Sequence, residues 1–278
     1  MTIRSLIQII PSIPVSDGAG VKLRRSLGHS QRLDPFLMLD EFASDNPDDY
    51  IAGFPPHPHR GFETVTYMLE GEFEHEDHLG HKGHLRGGGA QWMTAGRGII
   101  HSEMPLQESG RLHGFQFWIN LPAAEKMKPA SYRDIQPEDI PTVAITGGSV
   151  KIVAGRFDDT AGPIQGLSTA PLFLDVRLAA GHGFSQAVPA GHTAFLYPYA
   201  GSLRVGDDGR ELSARQAGVL SQGERIAATA GPAGAAFLLL AARPLGEPVV
   251  QYGPFVMNTR EEIEQALADY RDGTLTAA

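Results

Sequence analysis

The feature that most narrows the folds open to this chain is a recurrence of short apolar runs, rich in β-branched and aromatic residues and separated by Gly, Pro and Asp clusters. TVTYML (64–69), GFQFWI (114–119), LFLDVRL (172–178), TAFLYPY (193–199) and AFLLLAA (236–242) are examples. Runs of this length, punctuated by turn residues, predict an all-β sandwich or barrel rather than alternating βα units. The 33 Gly and 20 Pro supply the turns that such a chain needs.

The stretch PAAEKMKPASYRDIQPEDIP (122–141) is polar and Pro-containing, and reads as a connector between two β halves of similar size. The expected domains are 1–130 and 131–278. One helix is predicted, near the end. Thr259 with Glu262 three residues later forms a capping box, Ile263, Ala266, Leu267 and Tyr270 follow at helical spacing, and Gly273 stands where a C-terminal cap belongs. Its apolar face is expected to pack on a barrel. The opening MTIRSLIQIIPSIPV is broken by Pro11 and Pro14 and lacks a small-residue cleavage site, so it reads as a first strand or arm. With no run of 18 apolar residues, no membrane span is expected, and the default location is cytoplasmic.

A formal charge of −9 and a pI near 5.6 argue against direct nucleic-acid binding, which depends on a basic surface, a local basic patch aside. The run GGGA lacks the Lys and Ser/Thr of a phosphate-binding loop. The chain has no cysteine, so disulfides and thiolate metal sites are excluded and any metal must be held by nitrogen and oxygen.

Eight of the eleven histidines lie between residues 57 and 113. His57 and His59 are two apart, a spacing that puts both on one face of a strand, and His101 with Glu103 repeats it. Two strands offering two such groups each can converge on one divalent ion, whether Fe, Mn, Co, Ni, Cu or Zn. Glu63 shares the parity of His57 and His59 if the strand runs on unbroken. It is read as a partner that orients a histidine, with a fifth ligand or a core acid paired with Arg60 as alternatives. His75, His78, His81 and His84 read as a solvated hairpin or loop, and His29 and His113 show no partner in the sequence. Phe62, Trp92, Met93, Phe115 and Phe117 could line a pocket for a flat polyphenol, with barrel core the preferred alternative.

HPHRGFETVTYMLEG (57–71) followed by QWMTAGRGIIHSEMP (91–105) resembles the paired signature of the pirin family, and YGPFVMNTREEIEQAL resembles the segment that closes pirin C-terminal domains. The resemblance covers nearly the whole chain. It implies two cupin barrels (double-stranded β-helices, or jelly rolls) in tandem, followed by the short helix. The cupin pattern maps onto His57, His59 and Glu63, and onto Gly98 with His101. Pirins draw the acid from the later strand, which favours Glu103 over Glu63 as fourth ligand. The implied cofactor is a single divalent transition metal, Fe(II) foremost. The implied activity is that of a quercetin 2,3-dioxygenase, taking a small aromatic substrate and O2, with Glu103 as ligand and general base. A different class of function is implied as well, a regulatory protein that binds a transcription factor or enzyme partner and uses its metal structurally or as a redox sensor. Setting the second half against the first puts Ala187, Pro189, Thr193, Ala228 and Ala230 opposite His57, His59, Glu63, His101 and Glu103, so the second barrel is expected to lack metal.

Overall fold

A computed structural model describes residues 2–28 and 31–277. The chain folds mostly as antiparallel strands, which divide between two compact units. The first twelve strands are β1 (Leu6–Pro11), β2 (Ile13–Asp17), β3 (Val21–Leu27), β4 (Phe36–Ser44), β5 (Phe54–His59), β6 (Phe62–Glu70), β7 (Glu72–Asp77), β8 (Lys82–Arg86), β9 (Ala90–Thr94), β10 (Ile99–Pro105), β11 (Leu112–Asn120) and β12 (Ser131–Ile135). They are followed by β13 (Thr142–Ile145), β14 (Gly148–Ala154), β15 (Arg156–Phe157), β16 (Thr160–Ala161), β17 (Leu172–Leu178) and β18 (Gly183–Ala187). The last are β19 (Thr193–Val205), β20 (Arg210–Ser213), β21 (Gln216–Leu220), β22 (Arg225–Ala242), β23 (Val250–Tyr252), β24 (Phe255–Met257) and the helix α1 (Arg260–Arg271). Among the described residues, no helix is long and apolar enough to cross a membrane.

The first unit comprises Pro14–Glu138 together with the chain from Leu245 onward. It holds a seven-stranded sheet, ordered β12-β9-β6-β11-β4-β3-β2, and a four-stranded sheet, ordered β5-β10-β7-β8. Val21, Leu23, Phe42, Met68 and Leu112 of the larger sheet share one buried cluster with Phe73 and Leu85 of the smaller, so the two sheets face each other across a common core. β6, FETVTYMLE, is buried over its first seven residues, as its β-branched and aromatic run requires.

The second unit comprises the chain up to Ile13 and Asp139–Pro244. Its main sheet runs β1-β21-β19-β22-β17-β14-β13, with β18 also on β22 and β20 on β19. The interior is apolar. Phe157, Phe184 and Phe237 pack ring on ring, with centroids 5.9 Å and 5.6 Å apart, among Leu174, Val176, Leu196 and Leu239. Burying each such side chain contributes about 1.5–3 kcal/mol.

These units differ from the expected continuous halves 1–130 and 131–278, because a terminal segment of each half is built into the other. Leu6–Pro11 pairs with Gln216–Leu220. Arg4 secures this first strand: it is fully buried, and its guanidinium donates to the carbonyls of Gly223, His192 and Pro189 at 2.7–3.0 Å. At the other end α1 has the expected capping box, Thr259 with Glu262, and buries Ile263 and Ala266 against Phe255, Met257 and Leu275 of the first unit. Leu267 and Tyr270 are the half-exposed flank of that face. The stretch expected as a connector is also partly structural. β12 pairs with β9, and Lys126 is buried with its ammonium donating to Gly61 O, Asn120 Oδ1 and Val256 O.

Candidate metal centre

β5 and β10 are neighbours in the four-stranded sheet, with His101 directly opposite His57 and Ile99 opposite His59. Strand parity therefore turns His57, His59 and His101 to one side, and their ring centroids lie 4.5–5.1 Å apart. One nitrogen from each lies within 4.8 Å of the others. Two nitrogens on one ion, each at about 2.0–2.1 Å, stand up to about 4.2 Å apart, so a small inward rotation closes the set.

The surroundings test whether a metal fits. His59 and His101 are buried, and His59 Nδ1 and both ring nitrogens of His101 have no hydrogen-bond partner. Leaving such atoms unpaired costs about 1–3 kcal/mol each, a cost that a bound cation would offset. Burial, followed by the neighbouring His57, holds the pKa of His59 and of His101 well below the usual imidazole range, so both are neutral and have a lone pair to donate. His57 Nδ1 lies 2.9 Å from the Pro55 carbonyl, which places the proton on Nδ1 and leaves Nε2 as the donor atom. Three imidazoles without sulfur suit a divalent transition metal.

Glu103 lies two residues beyond His101, past a bulge in the β5–β10 pairing, and is buried. It is not part of the three-histidine cluster. Thr66 Oγ1 donates to its Oε1 at 3.0 Å and Gln116 Nε2 to its Oε2 at 2.9 Å, so the carboxylate is fixed from the opposite sheet.

Glu63 departs from expectation. The chain breaks at Arg60–Gly61 and β6 enters the other sheet, so the parity that grouped Glu63 with His57 and His59 does not hold. Gly61 makes the break possible, with φ of 90° and a position where a Cβ would stand 1.9 Å from Val256 O. Glu63 instead accepts from Thr94 Oγ1 at 2.7 Å and Trp92 Nε1 at 3.1 Å. Arg60 pairs with Asp269 at 2.6 Å.

The other histidines divide. His78, His81 and His84 are exposed around the β7–β8 turn. His75 is buried, stacked on Tyr132 with centroids 5.0 Å apart and hydrogen-bonded to Gln91. His113 has a partner after all, Glu41, at 2.9 Å in the interior. His29 lies outside the described residues. In the second unit Ala228 pairs with Phe184. Matching Ala228 to His101 thus puts Phe184, not Ala187, at the place of His57.

His57 and His59 open onto a cleft of about 840 Å³ within the first unit. Leu37, Met38, Phe54 and Trp118 form much of its lining, with polar contributions from Asp17, Arg25, Asp40, Gln116 and Tyr252. Phe62, Trp92, Met93, Phe115 and Phe117 are all buried and none lines the cleft, so they are core. The lining comes from five stretches of chain, within 17–28, 37–40, 54–59, 116–118 and 251–254, and besides His57 and His59 only Gln116 and Trp118, inside the run GFQFWI, and Tyr252, Gly253 and Pro254, inside YGPFVMNTREEIEQAL, lie in segments that the sequence singles out. The closing segment takes part as well. Val249 and Val256 pack with Leu37, Phe62 and Trp118, and Gly98, at the foot of β10, stands where a Cβ would meet Leu275 O at 2.2 Å.

Known proteins share this fold. The Pirin family model matches residues 20–119 and the Pirin C-terminal cupin domain model residues 173–276. A protein of Pseudomonas aeruginosa, provisionally named a quercetin 2,3-dioxygenase, is 54% identical over 98% of each chain. Human pirin is 43% identical over 92% of this chain and 89% of its own. A crystal structure described as quercetin 2,3-dioxygenase from Acinetobacter baumannii superposes with a TM-score of 0.92 at 32% identity, covering 99% of both chains. A bacterial pirin from Escherichia coli in complex with nickel(II) shares the fold, with a TM-score of 0.67 at 20% identity over 85% of this chain and 98% of that one.

Proposed function

This chain belongs to the pirin family, and from that premise we propose that it is a cytoplasmic, metal-dependent dioxygenase that opens the heterocyclic ring of a flavonol such as quercetin with O2. The observation that carries the proposal is the set of three imidazoles facing one another, with His59 Nδ1 and both ring nitrogens of His101 unpaired, beside a cleft that His57 and His59 help to line. His57, His59 and His101 would hold the ion, with Glu103 as fourth ligand and Fe(II) as first choice of metal.

A bound divalent metal supplies a Lewis-acid centre that favours a substrate hydroxyl as its oxyanion. The residues of the chain do the rest. Glu103, held by Thr66 and Gln116, accepts the proton of the flavonol 3-hydroxyl. Leu37, Met38, Phe54 and Trp118 take up the flat ring system and keep water from it.

Anaerobic reconstitution with Fe(II), followed by oxygen uptake with quercetin, tests the activity, with Mn, Co, Ni and Cu as the metal panel. Fast metal-dependent uptake is expected. None with any of the five metals would favour the regulatory class of function instead. Glu103→Gln keeps an acceptor for Thr66 and loses the base, so turnover is expected to fall by about 10²–10⁴; retained turnover would remove Glu103 from the base role.

A further inference from the structure

Besides the imidazoles, the cleft lining holds a second polar group on the facing sheet. Arg25 of β3 stands opposite Asp40 of β4, and Asp17 closes β2 beside them. Arg25 donates through Nε to Asp40 Oδ1 at 2.8 Å, and through Nη2 to Asp40 Oδ2 at 2.7 Å and Asp17 Oδ2 at 2.8 Å. One guanidinium thus serves two carboxylates, and three of its five N–H donors are committed. Asp40 is buried, with both oxygens taken. Asp17 has a side chain 53% exposed, and its Oδ1 receives the Gly18 amide at 2.8 Å, leaving a lone pair open.

Two carboxylates against one guanidinium leave this wall net negative, and its most exposed member, Asp17, is an acceptor that carries charge. A carboxylate, phosphate or sulfonate brought here meets an arginine already neutralised by two acids, and is repelled by the second of them. A phenolic hydroxyl meets a carboxylate oxygen with room for one more hydrogen bond.

Resting on the reading of this cleft as the seat of a flat aromatic ligand, we infer that Asp17, backed by Arg25 and Asp40, sets its specificity: the ring remote from the imidazoles carries hydroxyl donors and no acidic substituent. Asp17 reads that ring directly, while Arg25 and Asp40 position it.

The test is calorimetric titration of the intact, metal-loaded protein under nitrogen with three flavonols: quercetin, galangin, whose remote ring bears no hydroxyl, and quercetin sulfonated on the remote ring. Quercetin is expected to bind about tenfold more tightly than galangin, the size of one hydrogen bond to a charged acceptor. The sulfonate is expected to bind more weakly than galangin. Asp17→Asn keeps an oxygen for the Gly18 amide; it should cut the quercetin advantage to about threefold or less and bring the sulfonate level with galangin. Equal affinities in the unmodified protein, unchanged ratios in Asp17→Asn, or no binding of any probe would overturn the inference. Oxygen uptake measured alongside separates it from the proposed activity. The expected ratios without turnover leave the specificity standing and remove the dioxygenase, and turnover indifferent to the remote ring does the reverse.

Discussion

The unit with the histidine cluster carries 14 Lys and Arg against 24 Asp and Glu, whereas the other carries nine against eight. Their interiors differ in the same sense. One keeps buried imidazoles and acids beside an open cleft, and the other packs Phe157, Phe184 and Phe237 together in an apolar core. Both are cupin domains, so the architecture does not by itself make a site. What differs is how each interior deals with its polar groups. The first unit leaves His59 Nδ1 and both ring nitrogens of His101 unpaired, which costs it stability, whereas the second fills its interior with aromatic and aliphatic side chains.

The contrast can be broken or sharpened by experiment, read unit by unit through amide hydrogen exchange. Phe237→Ala should cost about 3–5 kcal/mol, confined to amides of the second unit, with metal content unchanged. Loss of protection in both units would mean that they do not behave separately. Asp40 is next. Burial raises its carboxyl to about 6 from an ordinary 3.8, against the pull of Arg25. Because the folded value lies above the unfolded one, the unfolded chain gives up this proton first, so stability falls as pH rises from about 4 to about 6 and is level beyond; the whole change is at most about 3 kcal/mol. Asp40→Asn should flatten that slope in denaturant titrations at pH 4.5 and 7, and an unaltered slope would assign it to other groups.

Withdrawing metal should destabilise the first unit alone, by about 2.7 kcal/mol for a metal supplied at 100 times its dissociation constant. His101→Ala should abolish this metal dependence and leave the metal-free protein no less stable, since two unpaired nitrogens go with it. The smallest effect is expected from Thr259→Ala. Loss of the cap should cost about 1 kcal/mol, and it should appear in the first unit although the residue is near the end of the chain.

Local features of this molecule were legible from residue order, and distant ones were not. HPH announces its geometry because strand parity is fixed by neighbours, and Thr259 with Glu262 names a helix start for the same reason, whereas HSE does not show the bulge that separates His101 from Glu103 in the β5–β10 pairing. Parity failed at Glu63 because one glycine, Gly61, ends the strand, and nothing in FETVTY shows that the chain has changed sheets. The partners of His75 and His113 lie 16 and 72 residues away, beyond the range of any local pattern. The cleft lining was hidden in the same way, since Leu37, Trp118 and Tyr252 meet only once the sheets have assembled. An apolar stretch such as SLIQII shows that it needs a neighbour, without showing which strand will provide one.

The exchange of terminal segments bears on how the molecule is made. The opening strand leaves the ribosome long before Gln216–Leu220, the strand it must pair with, has been synthesised. The first unit, for its part, waits for the stretch beyond Leu245 to cover Gly61 and Gly98. The second unit is complete only once Asp139–Pro244 has joined the opening strand, and the first only once the stretch from Leu245 onward has been made, so a chain cut short before Leu245 would leave the histidine-bearing half without the segment that packs against Gly61 and Gly98.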